Sequence, residues 1–314
     1  MPPSVVSQAL PGIREHYIPE NEFPIPLTPG VTLLGNYFFN LFLVRGEKKS
    51  ALFETGISGI TDRVIAQLES LEAAPDFLIP SHPHSDHITG LPGLAERFPR
   101  AEILSANGAA EFVSHPKAGP LLIQEDRFMS LGLKKMGIEP GRPSLDKIPD
   151  LSGSRVIQGR TEIDLGGLTL ELIPVAGHSP GNLMGLIREE NILLCSDSLG
   201  FHFPGRGFWP LFFTGAELYL QGLEFIQTLN PDIICPAHQG PLRGEAAGKG
   251  IRQAIAATHK AIQRVRTTRL PDENLAMKLF RESYKDEFTL YTEENILNCS
   301  RLLIRRARDF QVQE

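Results

Sequence analysis

Short apolar runs, broken by glycine and by clusters of charge, dominate the first third of the chain and predict β-strands. The predicted strands cover residues 31–34, 37–44, 50–54, 76–80 and 101–105. Apolar residues recur at helical spacing between Thr61 and Leu71, and a second helix is predicted at 91–98. This alternation of strands and helices predicts a domain of the layered α/β class.

The same pattern returns in the second half of the chain and then stops. A helical pattern at 109–133 and a proline-rich connection at 138–150 lead to further strands and one helix. These strands are predicted at residues 155–157, 168–173, 183–187, 192–195 and 233–235, and the helix at 216–229. Residues 245–314 contain no strand pattern and predict three or four helices. Because no long linker separates them, we predict a domain at 1–244 with a C-terminal helical cap, 245–314, packed on it.

Composition narrows the class of protein. The 314 residues are 41% hydrophobic and 22% charged, and a net charge of −6 argues against general nucleic-acid binding. No apolar stretch reaches the roughly 18 residues that span a bilayer, so we expect no membrane partner. The first six residues lack the features of a signal peptide. Cys195, Cys235 and Cys299 are far apart and suggest no disulfide framework, which favours a cytoplasmic location.

The segment Ser81–His87 places three imidazoles and a carboxylate directly after a predicted strand. The side chains are those of His82, His84, Asp86 and His87. Imidazole and carboxylate are usual ligands of zinc, iron and manganese. Three histidines so close together repel one another when protonated, and burying them without a partner is costly. A bound metal removes both problems, so the segment predicts a metal site.

Three later segments each run from a predicted strand into a short loop that carries one metal-competent side chain. These side chains are His178, Asp197 and His238. Strands that end at one edge of a sheet would bring them to the His-rich loop. A donor set of nitrogen and oxygen alone leaves zinc, iron(II) and manganese open.

The His-rich loop, the lone His, the lone Asp and the final His, in this order, resemble the signature of the metallo-β-lactamase superfamily. The resemblance implies a four-layer αββα sandwich and hydrolysis by a hydroxide bound to two divalent ions, zinc, iron or manganese. It implies one ion on His82, His84 and His178, a second on Asp86, His87 and His238, and Asp197 as the bridge. Asp86 is also the implied catalytic residue, because it would orient the hydroxide or move its proton.

Aromatic residues crowd the stretch that follows Asp197. They are Phe201, Phe203, Phe208, Trp209, Phe212 and Phe213. Two interpretations stay open: they pack the domain against the cap, or they form a pocket wall that favours an apolar or aromatic acyl group. The candidate substrate contacts are Phe201, His202 and Trp209.

The helical region that follows Leu242 is basic at first. Its positive residues are Arg243, Lys249, Arg252, Lys260, Arg264, Arg266 and Arg269. They predict either a solvated helical face or a rim that attracts a phosphorylated substrate such as an acyl-CoA.

The C-terminal layout resembles the PqsE-type, or quinolone-signal response, thioesterases of that superfamily. The resemblance rests on the residues that follow Asp197 and on the helical pattern at 290–308. Phe201 and His202 depart from it, because an acidic residue is expected there. We therefore expect a thioesterase whose partner is a small molecule, an acyl-CoA or related thioester. A lactonase or phosphodiesterase is one alternative, and a regulatory protein that acts through a partner with weak hydrolysis is another. A homodimer is left open.

Overall fold

The computed structural model describes residues 17–311. In one of its sheets, side chains point alternately to the two faces, and both faces are buried. In the strand Asn40–Arg45, Leu41 and Leu43 pack toward helices, whereas Phe42 and Val44 pack toward a second sheet. All four side chains are buried. Because neighbouring strand residues point to opposite faces, this run of apolar residues belongs to a sheet that is covered on both sides.

The first sheet has seven strands that lie side by side in chain order. They are β1 (Ile25–Pro26), β2 (Val31–Gly35), β3 (Asn40–Arg45), β4 (Ser50–Phe53), β5 (Phe77–Ile79), β6 (Glu102–Ala106) and β7 (Arg155–Ile157). Pairing is antiparallel from β1 to β4 and parallel from β4 to β7. The parallel part needs crossover connections, and these carry helices.

The second sheet has six strands in the order β15-β14-β11-β10-β9-β8. They are β8 (Thr161–Asp164), β9 (Thr169–Val175), β10 (Asn182–Ile187), β11 (Ile192–Leu194), β14 (Ile233–Cys235) and β15 (Leu242–Arg243). Strands β11 and β14 are parallel, so both run toward the same edge of the sheet. The strands β12 (Phe201–Phe203) and β13 (Gly207–Trp209) form a separate hairpin.

Helices cover the outer face of each sheet. They are α1 (Thr61–Ser70), α2 (Ser85–Ile88), α3 (Leu91–Arg97), α4 (Ala109–Ser114), α5 (Ala118–Lys135), α6 (Ala216–Leu229), α7 (Glu245–Thr267), α8 (Asp272–Ser283) and α9 (Glu293–Asp309). Val64 of α1 and Met129 of α5 share an apolar cluster with the outer face of the first sheet. Leu223 of α6, Ile251 of α7 and Leu303 of α9 share one with the second sheet.

Two sheets between two helical layers form a four-layer αββα sandwich, so the predicted fold class is confirmed. The helical C-terminal region is present as α7, α8 and α9. These helices share one apolar cluster with α6 and the second sheet. The division into domains at 1–244 and 245–314 stays a prediction.

Two of the differences between the predicted elements and the local structure have a clear physical cause. The helical pattern at 109–133 is split between α4 and α5, because Pro116 disfavours helical backbone at His115, which is extended. The strand β8 was missed because its exposed positions carry charge, at Glu162 and Asp164. A two-residue alternation is hard to recognise in four residues.

Between residues 17 and 311 no helix combines the length and the apolarity that crossing a bilayer requires. The predicted lack of a signal peptide concerns residues 1–6, which lie outside the described residues. The cytoplasmic location stays a prediction.

A buried carboxylate ties three segments of the first sheet's helical layer together. Asp126 of α5 accepts hydrogen bonds from the backbone and hydroxyl of Ser58, at 3.0 and 2.6 Å. It also accepts from the hydroxyl of Thr89 at 2.7 Å and from the backbone of Leu145 at 2.9 Å. Four donors therefore depend on one side chain.

We expect Asp126→Asn to lower the free energy of unfolding by about 3 kcal/mol, measured by urea denaturation. The substitution replaces one acceptor oxygen by an amide that faces two donors. Asp146→Asn, at an exposed position, is the control and should change stability by less than about 0.5 kcal/mol. Equal midpoints for the two variants would contradict this role for Asp126.

Candidate metal centre

Seven candidate ligands converge because strands from both sheets end at one side of the sandwich. The His-rich segment follows β5, His178 follows β9, Asp197 follows β11 and His238 follows β14. Six of the seven are buried, and His84 is partly exposed. Their positions match the expectation that the strand ends bring these side chains together.

Three imidazoles and one carboxylate make up the first group, His82, His84, His178 and Asp197. The Nε2 atom of His82 lies 3.0 Å from Nδ1 of His84 and 3.1 Å from Nε2 of His178. Asp197 Oδ2 lies 3.5 Å from His178 Nε2. Four ligands placed tetrahedrally at about 2.1 Å from one ion are themselves about 3.4 Å apart, close to this spacing.

Asp86, His87 and His238 make up the second group. Asp86 Oδ2 lies 3.4 Å from His87 Nε2 and 3.5 Å from His238 Nε2. Asp197 borders this group too, since its Oδ2 lies 3.6 Å from His87 Nε2 and its Oδ1 lies 3.5 Å from His238 Nε2. One carboxylate thus faces both groups.

Hydrogen bonds behind the imidazoles direct the other ring nitrogens inward. His178 Nδ1 is 2.8 Å from the carbonyl of Leu211, and His238 Nδ1 is 2.6 Å from that of Phe38. A carbonyl only accepts, so each Nδ1 donates and each Nε2 is free to bind a metal. The Nε2 atoms of His87 and His238 are buried without a hydrogen-bond partner. A divalent cation satisfies them, so the residues present fit a metal.

The pKa values of the clustered side chains also bear on whether they can bind a cation. Burial lowers the pKa of His84 to about 3, and the neighbouring His178 acts in the same direction. Burial opposes ionisation of Asp86 and Asp197, but the charge of His87 outweighs it and holds the pKa of both carboxyls well below the usual range. Burial alone would lower the pKa of His87, but the charges of Asp86 and Glu54 raise it well above the usual range, so an arriving cation replaces a proton at this imidazole.

An apolar cavity of about 650 Å³ opens beside the cluster. Its apolar lining includes Phe112, Leu122, Phe201, Trp209, Phe213 and Phe288. His84, Asp86, His178 and Asp197 also line it. Among the described lining residues, Lys117 is the only lysine or arginine. Four of the candidate ligands therefore face a chamber suited to apolar groups.

The three candidate substrate contacts lie on opposite faces of the hairpin β12–β13. Phe201 and Trp209 line the cavity beside the cluster, and they pair directly across the two strands. His202 lies in a second cavity and stacks on Phe208, 4.7 Å between ring centroids. Because strand neighbours alternate, His202 points away from Phe201, and the structure does not bring it to the cluster.

Among the residues that touch the cluster, Glu54 and Tyr291 were missed by sequence reasoning. Glu54 Oε2 lies 3.1 Å from His87 Nδ1, and Tyr291 donates from its phenol to Asp86 Oδ2 at 2.8 Å. Glu54 ends a predicted strand, and His178, Asp197 and His238 likewise follow strands, so this position is the signal that could have indicated it. Tyr291 lies 205 residues from Asp86 in the chain, and no spacing indicates it.

Comparison with known proteins agrees with this geometry. The family model described as the metallo-beta-lactamase superfamily matches residues 35–238, which include all seven candidate ligands. The chain belongs to the metallo-beta-lactamase superfamily, a superfamily of hydrolases. The His and Asp groups are suited to binding metal ions.

Individual relatives are distant but cover much of the chain. The chain is 25% identical over 228 residues to the metallo-beta-lactamase fold-containing protein ST1585 of Sulfurisphaera tokodaii, covering 69% of this chain and 78% of that protein. It is 24% identical over 270 residues to a hydroxyacylglutathione hydrolase of Aeromonas salmonicida, covering 82% and 87%. The crystal structure of ST1585 from Sulfolobus tokodaii matches with a TM-score of 0.56 at 18% identity, covering 90% and 100%. That likeness supports the fold.

We expect Glu54→Gln to weaken metal retention by about 10- to 100-fold, measured by competition with a chromogenic chelator. The carboxylate orients His87 through Nδ1, and a neutral amide holds that N–H less strongly. Glu72→Gln, at an exposed turn position, serves as the control and should retain metal as the wild type does. Equal retention in both variants would show that Glu54 does not support the ligand.

Proposed function

We propose that the protein is a metal-dependent hydrolase of thioesters. The observation that carries the proposal is the pair of ligand groups that both adjoin Asp197 and lie beside an apolar chamber. The chamber offers room for an acyl group, and the ligand groups lie where its carbonyl would be placed. Burial of the cluster also strengthens electrostatic interactions there.

The ligand assignment is part of the proposal. His82, His84 and His178 would hold one divalent ion, Asp86, His87 and His238 a second, and Asp197 would face both. When bound, such ions activate water at neutral pH and polarise the attacked oxygen. Asp86, which lines the cavity, would orient the attacking water and accept its proton. The metal itself, zinc, iron or manganese, is left to measurement.

Preference for a thioester rests on the relatives and on the chamber. The relative from Aeromonas salmonicida is a hydroxyacylglutathione hydrolase, a thioester hydrolase by its name. The apolar lining favours a substrate with an apolar acyl part, for which Phe201 and Trp209 are the assigned contacts. Lactone and phosphodiester substrates are the alternatives of the same fold.

Charge around the chamber bears on the thiol part of the substrate. Six of the seven basic residues between positions 243 and 269 are exposed, and the seventh, Arg264, forms an ion pair with Glu282. Lys117 is the only cationic lysine or arginine on the described lining. This supports the solvated-face interpretation of the basic cap, so a polyphosphate such as coenzyme A finds little counter-charge at the chamber.

The likeness to PqsE-type thioesterases belongs to the same proposal. Its support is the position of the C-terminal region, because Phe288, Tyr291 and Leu302 line the chamber. In this proposal the core supplies the ligands and the cap selects the acyl group.

The function is tested by a turnover panel with metal-loaded protein. We expect hydrolysis of acyl-CoA or S-lactoylglutathione to exceed that of a homoserine lactone and of bis(p-nitrophenyl) phosphate by about 100-fold in kcat/KM. A preference for the lactone or the diester would replace the proposed substrate class. A metal-free protein without turnover, recovered with a partner, would favour the regulatory alternative.

His84→Ala removes a proposed ligand and should lower kcat/KM by at least about 100-fold with the fold intact by circular dichroism. His259→Ala changes an exposed histidine of α7 and is the matched control, expected to leave turnover unchanged. An unaltered kcat/KM in His84→Ala would contradict the assigned mechanism.

Trp209→Ala tests the acyl chamber. Loss of the indole wall should raise KM about 10-fold for thioesters with large apolar acyl groups and hardly at all for an acetyl thioester. Phe208→Ala, whose ring lines the second cavity on the other face of the hairpin, is the control. A uniform effect of Trp209→Ala on all acyl lengths would contradict an acyl contact.

A further inference from the structure

The cap sends one polar side chain into the ligand cluster. Tyr291, between a short 3-10 turn (Asp286–Leu290) and α9, donates from its phenol to Asp86 Oδ2 at 2.8 Å. The two residues are 8% and 9% exposed, so the bond is shielded from competing water. The same oxygen lies 3.4 Å from His87 Nε2 and 3.5 Å from His238 Nε2. The phenol thus meets the carboxylate at the atom that faces the second ligand group.

Three hydrogen bonds fix the backbone around Tyr291. The next residue, Thr292, donates from its backbone to Glu125 Oε2 at 3.1 Å and from its hydroxyl to Glu125 Oε1. Tyr284 donates from its phenol to the carbonyl of Tyr291 at 3.1 Å. Since Glu125 belongs to α5, the segment is tied to the same helical layer that packs beside the His-rich loop. The phenol is therefore held in place by contacts independent of Asp86.

We propose that Tyr291 is a positioning residue of the metal centre, whose phenol holds the carboxylate of Asp86 in its metal-binding orientation. The inference rests on the proposed function, in which Asp86 is a ligand. A carboxylate fixed before the ion arrives loses less conformational freedom on binding, so affinity rises. A phenol suits this task, because it donates a hydrogen bond without the positive charge that would repel a cation. The C-terminal helical region would then contribute to the metal centre as well as to the wall of the chamber.

A purely structural role for Tyr291 would be to dock the cap on the core, and the chain holds a matched example of that role. Tyr37 of the core donates from its phenol to Glu287 of the cap, 3.2 Å to Oε1, and both residues are buried. This bond also joins core and cap through a phenol and a carboxylate. Glu287 is not one of the seven candidate ligands, so Tyr37→Phe removes the docking contact alone.

The experiment compares zinc-loaded wild type, Tyr291→Phe and Tyr37→Phe. Zinc release to a chromogenic chelator, the melting temperature and the steady-state constants for a thioester are measured on each. We expect Tyr291→Phe to lose one of two ions about 10- to 100-fold more readily and to lose kcat with little change in KM. Tyr37→Phe should lower the melting temperature yet release zinc as the wild type does.

Any other result contradicts either the positioning role of Tyr291 or the proposed function. Wild-type zinc retention in Tyr291→Phe, or equal loss in both variants, overturns the positioning role and leaves the proposed function standing. A wild type that binds no zinc, iron or manganese overturns the proposed function itself. If Tyr291→Phe does not fold, 3-fluorotyrosine at position 291 keeps the ring and strengthens the donor. The release rate must then differ from that of the protein with 3-fluorotyrosine at position 37, and equal rates refute the proposal.

Discussion

The structure depends on one electrostatic requirement, which is that imidazole lone pairs and carboxylate oxygens converge on a small buried volume. The Nε2 atoms of His82 and His178 lie only 3.1 Å apart. Between neutral imidazoles that meet lone pair to lone pair, such an approach is unfavourable, and a cation at the centre makes it favourable. The convergence also draws on both sheets, since the donors follow β5, β9, β11 and β14. Packing of the two sheets against each other is thus a condition for the site.

The groups that hydrogen-bond to the candidate ligands matter for metal binding as much as the ligands themselves. Carbonyls of Leu211 and Phe38 fix the tautomers of His178 and His238, and the carboxylate of Glu54 orients His87. A backbone carbonyl carries no side-chain identity, so many sequences can provide it once the fold is in place. Such contacts can therefore be kept between chains of low identity that share a fold, and this chain and ST1585 share one at 18% identity.

The sequence could predict the layered fold and the seven candidate ligands because both follow local rules. Strand ends are marked by apolar runs, and a His or Asp placed just after one is conspicuous. Glu54 was within reach of the same rule. Tyr291 was not, because its contact with Asp86 depends on how α9 and the preceding turn settle on α5. His202 is close to Asp197 in sequence, yet strand alternation directs its side chain into the second cavity, and its role as a substrate contact stays a prediction.

The residues that would carry out the chemistry and those that would select the substrate lie largely in different parts of the chain. The candidate ligands lie between residues 82 and 238, on loops that follow strands of both sheets, and six of the seven are buried. The chamber wall is drawn from α4, α5, the hairpin and the C-terminal region, through residues such as Phe112, Trp209 and Phe288. Exchanging an apolar wall residue costs little as long as volume is kept, whereas removing a buried ligand leaves charge uncompensated. Substrate choice can therefore change through the wall and the cap while the metal centre stays the same. Tyr291 joins the two parts, because it belongs to the wall and its phenol also donates a hydrogen bond to a candidate ligand.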